Sequence, residues 1–349
     1  MSYTNGLDNP ELFFQTVLWT GNGSARSITL DGSENMQPDW VWGKNRGNDD
    51  NDYLMDSVRG ATKRITTNNN QPEGTSTGLL TSFDSDGFSL GTSAGLNASG
   101  VTAVGWCWKA SGSTASNSNG SITSTVSANT TAGFSIGTYN GTSADNTVGH
   151  GLGVAPDMII VKCKSTAHDW VVYHSALGNA KILTLNATTA AQSATGWQST
   201  SPTSTVFSID NAANSLNQSG QSFVFYAFAS KKGYSKFGSY TGNGNADGTF
   251  VYTGFLPSFV MVKRTDSSTA GNWMMYDNKR LGYNGGSRYL IANTIDPETG
   301  SSDNLMDFTS NGFKPKSASQ NINRSASYIY MAFAESPFVT STGVPACAR

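Results

Sequence analysis

Charge is what this sequence has least of. Among its 349 residues only 13% are Asp, Glu, Lys or Arg, about half the share in a typical globular protein. The small excess is acidic, with a net charge of −2, so no basic field is available to hold phosphates and nucleic-acid binding is excluded. No apolar run approaches the roughly 20 residues that span a bilayer, and membrane insertion is not expected. The opening MSYTNGLDNPELFF has neither the basic start nor the apolar stretch of a signal peptide, which predicts a chain folded where it is made. Cysteine is also sparse. Cys107, Cys163 and Cys347 are odd in number and lack metal-type spacing, so they read as reduced thiols in a fold without disulfides. Runs rich in Glu, Lys, Leu and Ala are scarce, which argues against helices.

The space is filled by 38 Gly with abundant Ser, Thr and Asn, and by 17 Phe, 13 Tyr and 8 Trp. The aromatics supply core material and exclude a charged disordered tail. Thr, Val and aromatics favour strands, and the small polar residues favour turns.

Order within this material comes from internal repetition. PDWVWGK from Pro38 returns as PDMIIVK from Pro156 and as PSFVMVK from Pro257. Before each copy stands a glycine-rich turn: TGNG from Thr20, YNG from Tyr139 and TGNG from Thr241. After each copy come YLMDSVRG from Tyr53, WVVYHSALG from Trp170 and WMMYDNKRLG from Trp273. GFSL, VFSI and GFKP follow, and then an Asn (Asn97, Asn217, Asn323) opens a turn into an aromatic strand. Four landmarks in one order, three times, establish a triplication.

Each repeat reads as short strands between turn signals every 8–12 residues or so, the pattern of an all-β sandwich or barrel. WVVYH and QSFVFYAFA are continuously apolar, as in strands buried on both faces, whereas SITSTVSANT alternates. The prediction is an all-β chain of three tandem homologous antiparallel β-sandwich units at 12–110, 122–230 and 231–338. An N-terminal arm covers 1–11, a flexible Gly/Ser/Asn linker 111–121 and a loose C-terminal tail 339–349. DNPELFF at Asp8 is the one place where a short helix or docking arm is expected.

The recurring Pro suits a first strand position, where no donor is needed. The recurring Lys is expected to close its strand at a sheet edge. Trp106, Trp108, Phe228 and Phe333 are expected core anchors. Asp56 with Arg59 and Asp277 with Arg280 form a recurring acid–base pair; a local salt bridge or turn hydrogen bond is favoured over a ligand contact. Trp197, in ATGWQSTSPTS, has no counterpart in the other repeats. Its two readings are an exposed sugar-stacking platform and a loop anchor. These five residues are the candidate ligand contacts.

Catalytic constellations are missing. His150, His168 and His174 all fall in the second repeat, and a metal site from His168, His174 and Asp169 matches no strong spacing. No nucleophile elbow occurs, and the glycine-rich turns lie between strands with no helix behind them to hold phosphate. NDDND, at 48–52, reads as a solvated turn rather than a calcium loop. No catalytic residue, metal or cofactor is expected, and the chain is read as not an enzyme.

QPDWVWGKNR, LLTSFDSDGFSLGT, NASGVTAVGWCWKA and GYSKFGSYTGNGNADGTFVYTGFLPSFVMVK resemble a repeat family of tailed, chiefly marine, bacteriophages, over about residues 12–338. The resemblance implies a virion structural, tail-fibre-like protein with concanavalin A-like (jelly-roll) sandwich units, assembled in the host cytoplasm. Implied partners are other virion proteins, copies of itself and a host surface glycan or receptor. The alternatives are a capsid decoration or architectural protein without a receptor and, less favoured, a glycan-cleaving enzyme.

Overall fold

In the computed structural model, which describes residues 4, 6–267, 269, 271–280, 288–300 and 305–345, the chain is all-β and its sheets are antiparallel. Three large sheets share one strand order. In the first the order is Phe14–Thr20, Thr102–Trp108, Trp40–Asn45, Asp52–Asp56, Lys63–Thr66 and Gly74–Thr75. The second runs Phe134–Asn140, Ser222–Phe228, Met158–Cys163, Val171–His174, Lys181–Thr184 and Gln192–Ser193, extended at its first edge by Ser124–Asn129 and Ala115–Asn117. The third runs Ser235–Thr241, Ser327–Pro337, Phe255–Arg264, Trp273–Asp277, Arg288–Ile291 and Thr299–Gly300. The span read as a flexible linker therefore contributes a strand, because Ala115–Asn117 pairs with 124–126. The segment at Asp8 forms a 3-10 turn over Pro10–Leu12, capped by Asn9.

A small sheet accompanies each large one: Arg26–Ile28 with Gly87–Leu90 and Leu80–Asp84, Asn146–Gly149 with Val206–Ile209, and Val251–Tyr252 with Gly312–Pro315 and Met306–Thr309. Strand alternation explains the pairing. In the first repeat Val17, Trp19, Val41, Met55 and Cys107 point to one side and join Ile28, Leu80, Phe88 and Leu90 of the small sheet in one apolar cluster. Equivalent clusters occupy the other two repeats.

The opposite faces of all three large sheets meet in a single central core. Trp40, Trp42, Trp106 and Trp108 come from the first repeat, Met158, Ile160, Tyr226 and Phe228 from the second, and Phe259, Met261, Met331 and Phe333 from the third. The rings touch across every junction: Trp40 to Tyr226 at 4.8 Å, Trp108 to Phe259 at 5.7 Å and Phe228 to Phe333 at 6.0 Å. The continuous apolar runs follow from this arrangement, since each large sheet is covered on both faces. Burial of a side chain of this size contributes about 1.5–3 kcal/mol, so one repeat separated from its neighbours exposes the whole inner face of its sheet.

Landmarks that recur in the sequence pin equivalent points. Asn97, Asn217 and Asn323 are buried, and each amide oxygen accepts from the glycine-rich turn of its own repeat, at Asn22, Thr142 and Asn243. The same turns need glycine. A Cβ on Gly21, Gly141 or Gly242 would lie 2.2, 2.3 or 2.2 Å from a backbone carbonyl oxygen.

The recurring lysines correct the edge expectation. Lys44, Lys162 and Lys263 lie on the third strand in from the first edge of their common order and are fully buried. Each reaches a loop of a neighbouring repeat. Lys44 Nζ donates to Thr294 O at 2.9 Å, Lys162 Nζ to Asn70 O at 2.9 Å, and Lys263 Nζ to Thr188 O and Thr189 O at 3.0 and 2.9 Å. The direction is cyclic: first to third, second to first, third to second. A matching set of backbone bonds closes the same three junctions, Glu298 N to Arg46 O, Glu73 N to Lys164 O and Ala191 N to Thr265 O. Burial draws Lys162 down to about 8 and Lys263 to about 7. Three carbonyl acceptors, with Gly271 O as the third, still match the three N–H groups of an ammonium.

Lys263→Met leaves the buried Gly271 O and the part-buried Thr188 O and Thr189 O without their donor. The expected loss of unfolding free energy is roughly 1–3 kcal/mol by guanidinium denaturation. Lys279→Met, which removes a half-exposed ion pair with Asp31, is expected to cost under about 1 kcal/mol.

Candidate functional site

The acid–base pairs lie at the same junctions. Asp56, His174 and Asp277 are equivalent, each opposite the first inward residue of the lysine strand (Trp40, Met158, Phe259). Asp56 accepts from the Arg59 amide and guanidinium, and Asp277 from those of Arg280. Each arginine also donates to the carbonyl of the middle of its strand, Leu54 or Met275, and to a glutamate, Glu73 or Glu298. All four residues of the two pairs are interior: the Asp and Arg side chains are at most 1% exposed.

Each carboxylate binds a ring from an adjoining repeat. Trp106 Nε1 donates to Asp277 Oδ2 at 3.0 Å, and Tyr226 OH donates to Asp56 Oδ2 at 2.7 Å. The Arg280 guanidinium lies 5.6 Å from the Trp106 ring centroid, within cation–π range. At the third junction both partners change. Met331 stands where the others have Trp106 and Tyr226 and has no donor to offer, and His174 replaces the aspartate. His174 Nε2 faces Tyr330 O at 3.2 Å and Nδ1 accepts from Ala176 N at 3.2 Å, so the ring is neutral with its proton on Nε2. A charged aspartate there would be buried without a cation, because Leu177 occupies the arginine's place.

A second exchange occurs one step along. Trp170 Nε1 and Trp273 Nε1 donate to Thr66 O and Thr184 O of the adjoining repeats, both at 2.9 Å. The first repeat has Asp52 at that position, opposite Lys44 and ion-paired with it, both fully buried. Burial pushes the Asp52 carboxyl up to about 8, against the attraction of Lys44. The acidic turn reading of 48–52 therefore fails at its last residue, which begins a buried strand.

Trp197 is likewise interior at 1% exposure, edge-on to Tyr173 at 5.7 Å and Phe207 at 6.3 Å. Its loop is tied down by Gln198, whose amide donates to Ile209 O and Asn146 O. The exposed-platform reading is corrected to a loop anchor, since a large ring among Ser and Thr gains more by filling the apolar cluster beneath. None of the five candidate contacts presents a surface to a ligand. His168 and His174 do not converge: His168 bonds Gln218 Oε1, while His174 lies at the junction just described. Among the described residues no three His, Cys, Asp or Glu are grouped to hold a metal. Cys107 and Cys163 are buried thiols; Cys347 lies outside the described residues.

Concave surface is found elsewhere, in places the sequence did not mark. A groove of about 690 Å³ runs beside Lys236, Phe237, Tyr252 and Phe338 in the third repeat. A smaller hollow of about 370 Å³ opens over Val171 and Ile182 in the second. The groove joins residues from three separate segments, so no local motif announces it.

A family model described as a domain of unknown function (DUF7483) matches residues 9–337, and the chain belongs to that family. No curated protein and no solved structure matches the chain.

His174 gives the junctions a pH signature. Burial lowers its pKa to about 4, and burial also lowers that of His150. A depressed histidine pKa contributes stability that is present above the unfolded value near 6.5 and is lost as pH falls through the folded value. Between pH 7 and 4 the unfolding free energy is expected to fall by about 3 kcal/mol through His174 alone. His174→Gln should flatten that fall in guanidinium titrations.

Proposed function

We propose that this member of the DUF7483 family is a structural protein of a tailed-bacteriophage surface, a tail fibre or tip component that works by adhesion to a host glycan or receptor. The reading rests on the resemblance of its recurring strings to phage repeat proteins. The observation that carries its non-catalytic character is the placement of the recurring charged side chains. Asp56, Arg59, Asp277, Arg280 and the three strand lysines are buried in contacts between repeats. What faces water is mostly neutral and polar, and it includes the groove of the third repeat.

The same proposal reads the fold as three homologous sandwich units of concanavalin A-like type, at 12–110, 122–230 and 231–338. The threefold strand order and the apolar cluster between each large and small sheet support it. Copies of the chain and other virion proteins are its proposed partners, and the virion, assembled in the host cytoplasm, its location.

Cyclic closure favours a second reading. A body with pseudo-threefold character suits a decoration or architectural role on a symmetry axis, with no receptor. Cryo-electron microscopy of the particle decides: density on a fibre or tip supports adhesion, density on the head supports decoration, and absence from the particle overturns both. Release of reducing sugar from host polysaccharide by the purified chain would instead favour a glycan-cleaving enzyme.

A further inference from the structure

The gap between the first edge of the large sheet and the small sheet recurs in all three repeats and is filled differently in each. In the second repeat Ser124–Asn129 adds a strand to Phe134–Asn140, with Thr125 opposite Thr138 and Ser127 opposite Ile136. Val126 joins the apolar cluster beneath, and Ser124 Oγ donates to Gly149 O of the small sheet at 2.7 Å. In the first repeat Gln15 spans the gap, its side chain donating to Glu34 O and accepting from Gly32 N. In the third repeat Lys236 reaches across, its Nζ donating to Tyr252 O at 2.8 Å. Tyr252 O is the counterpart of Gly149 O, because Val251 and Val148 pair with the equivalent Phe313 and Phe207. A groove of about 690 Å³ is left beside that bond.

The strand bordering the groove keeps unpaired backbone groups. Ser235 bonds Lys231 through both its amide and its carbonyl, and Phe237 N donates to Ser230 Oγ at 3.3 Å. The odd-numbered residues of Ser235–Thr241 therefore face away from Ser327–Pro337. Among the described residues nothing bonds Phe237 O, Ser239 N or Ser239 O. Phe237 and Ser239 occupy the places of Ile136 and Thr138, which hold the added strand in the second repeat. Tyr252 and Phe338 border the groove at 54% and 36% exposure, and a strand laid along the edge covers both rings.

We propose that this open edge accepts an extended segment of a partner protein, added antiparallel to residues 237–239 as Ser124–Asn129 is added in the second repeat. The counterpart sets the segment's chemistry. Its backbone pairs with Phe237 and Ser239, a side chain of about valine size faces Gly238 as Val126 faces Gly137, and a hydroxyl takes the place of Lys236 on Tyr252 O. The chain's own strand of this pattern is already paired in its second sheet, and an edge lysine discourages direct pairing between copies. A different chain is therefore the donor. The assignment depends on the sheet edges and goes beyond the adhesion reading.

Fluorescence anisotropy of a labelled peptide, SITSTVSANT (residues 121–130), titrated with the full chain tests it. The peptide is expected to bind saturably. The same peptide carrying Ser127→Pro lacks the donor for Phe237 O and should bind about tenfold more weakly or less. In the protein, Ser239→Pro removes an outward amide while leaving the ladder to Ser327–Pro337 intact, and should weaken binding as much. Lys236→Ala frees Tyr252 O for the peptide hydroxyl and should tighten binding about threefold. Val154→Ala, at an exposed residue outside the groove lining, should change nothing. The proline peptide keeps the comparison informative on the unaltered protein if Ser239→Pro fails to fold. No saturable binding at millimolar protein, equal binding of the proline peptide, binding that Ser239→Pro retains, or weaker binding by Lys236→Ala would each overturn the assignment. Self-association of the chain alone that Ser239→Pro abolishes, read by sedimentation velocity, would give the edge to a second copy and overturn the partner-protein assignment.

Discussion

A lysine ammonium buried at the end of an apolar run must find oxygen acceptors, and its own strand cannot supply them. The backbone oxygens of that strand are engaged in the sheet ladder. In this fold each lysine takes an acceptor from a loop of a neighbouring repeat, at Thr294, Asn70, Thr188 and Thr189, beside one in its own repeat, at Asp52, His168 O and Gly271 O. Because the same lysine recurs three times and always points the same way round, the contacts close on themselves. The central aromatic core, the paired backbone bonds at Glu73, Ala191 and Glu298 and the buried carboxylates all lie inside that closure.

Closure also explains how a chain of low charge places so much of that charge in its interior. A buried ion pair gives little net stability compared with an apolar replacement, but losing one partner is strongly destabilising. Such groups therefore enforce register between surfaces that hydrophobic packing alone would allow to slip. The repeats differ where a partner differs. Asp56 and Asp277 meet Tyr226 and Trp106, whereas His174 meets a backbone carbonyl beside Met331. Asp52 meets Lys44 where the other repeats place a tryptophan. Each junction is satisfied by a different pair in the same geometry.

Much of the framework was legible in the sequence, because it depends on local spacing. The triplication, the all-β class, the glycine-rich turns and the anchors Trp106, Trp108, Phe228 and Phe333 follow from residues a few positions apart. The buried roles of Lys44, Lys162 and Lys263 were not legible, because a terminal lysine looks the same whether it faces water or a neighbouring repeat. The strand runs one residue past the lysine in every repeat, to Asn45, Cys163 and Arg264, and only Cys163 continues the apolar run in a way the sequence displays. Trp197 misled for the opposite reason. Its polar neighbours suggested exposure, while the ring turned inward onto Tyr173 and Phe207. The groove at Tyr252 depends on tertiary juxtaposition, which one-dimensional patterning does not encode.

If the three repeats are mutually dependent parts of one closed body, they unfold together. Five of the eight tryptophans, Trp19, Trp40, Trp42, Trp106 and Trp108, belong to the first repeat, so tryptophan fluorescence reports chiefly on that repeat and far-ultraviolet circular dichroism on all three. Guanidinium denaturation followed by both signals is predicted to give one coincident transition with a common midpoint. Separate midpoints, or a plateau between two transitions, would show repeats that stand alone and would contradict the account.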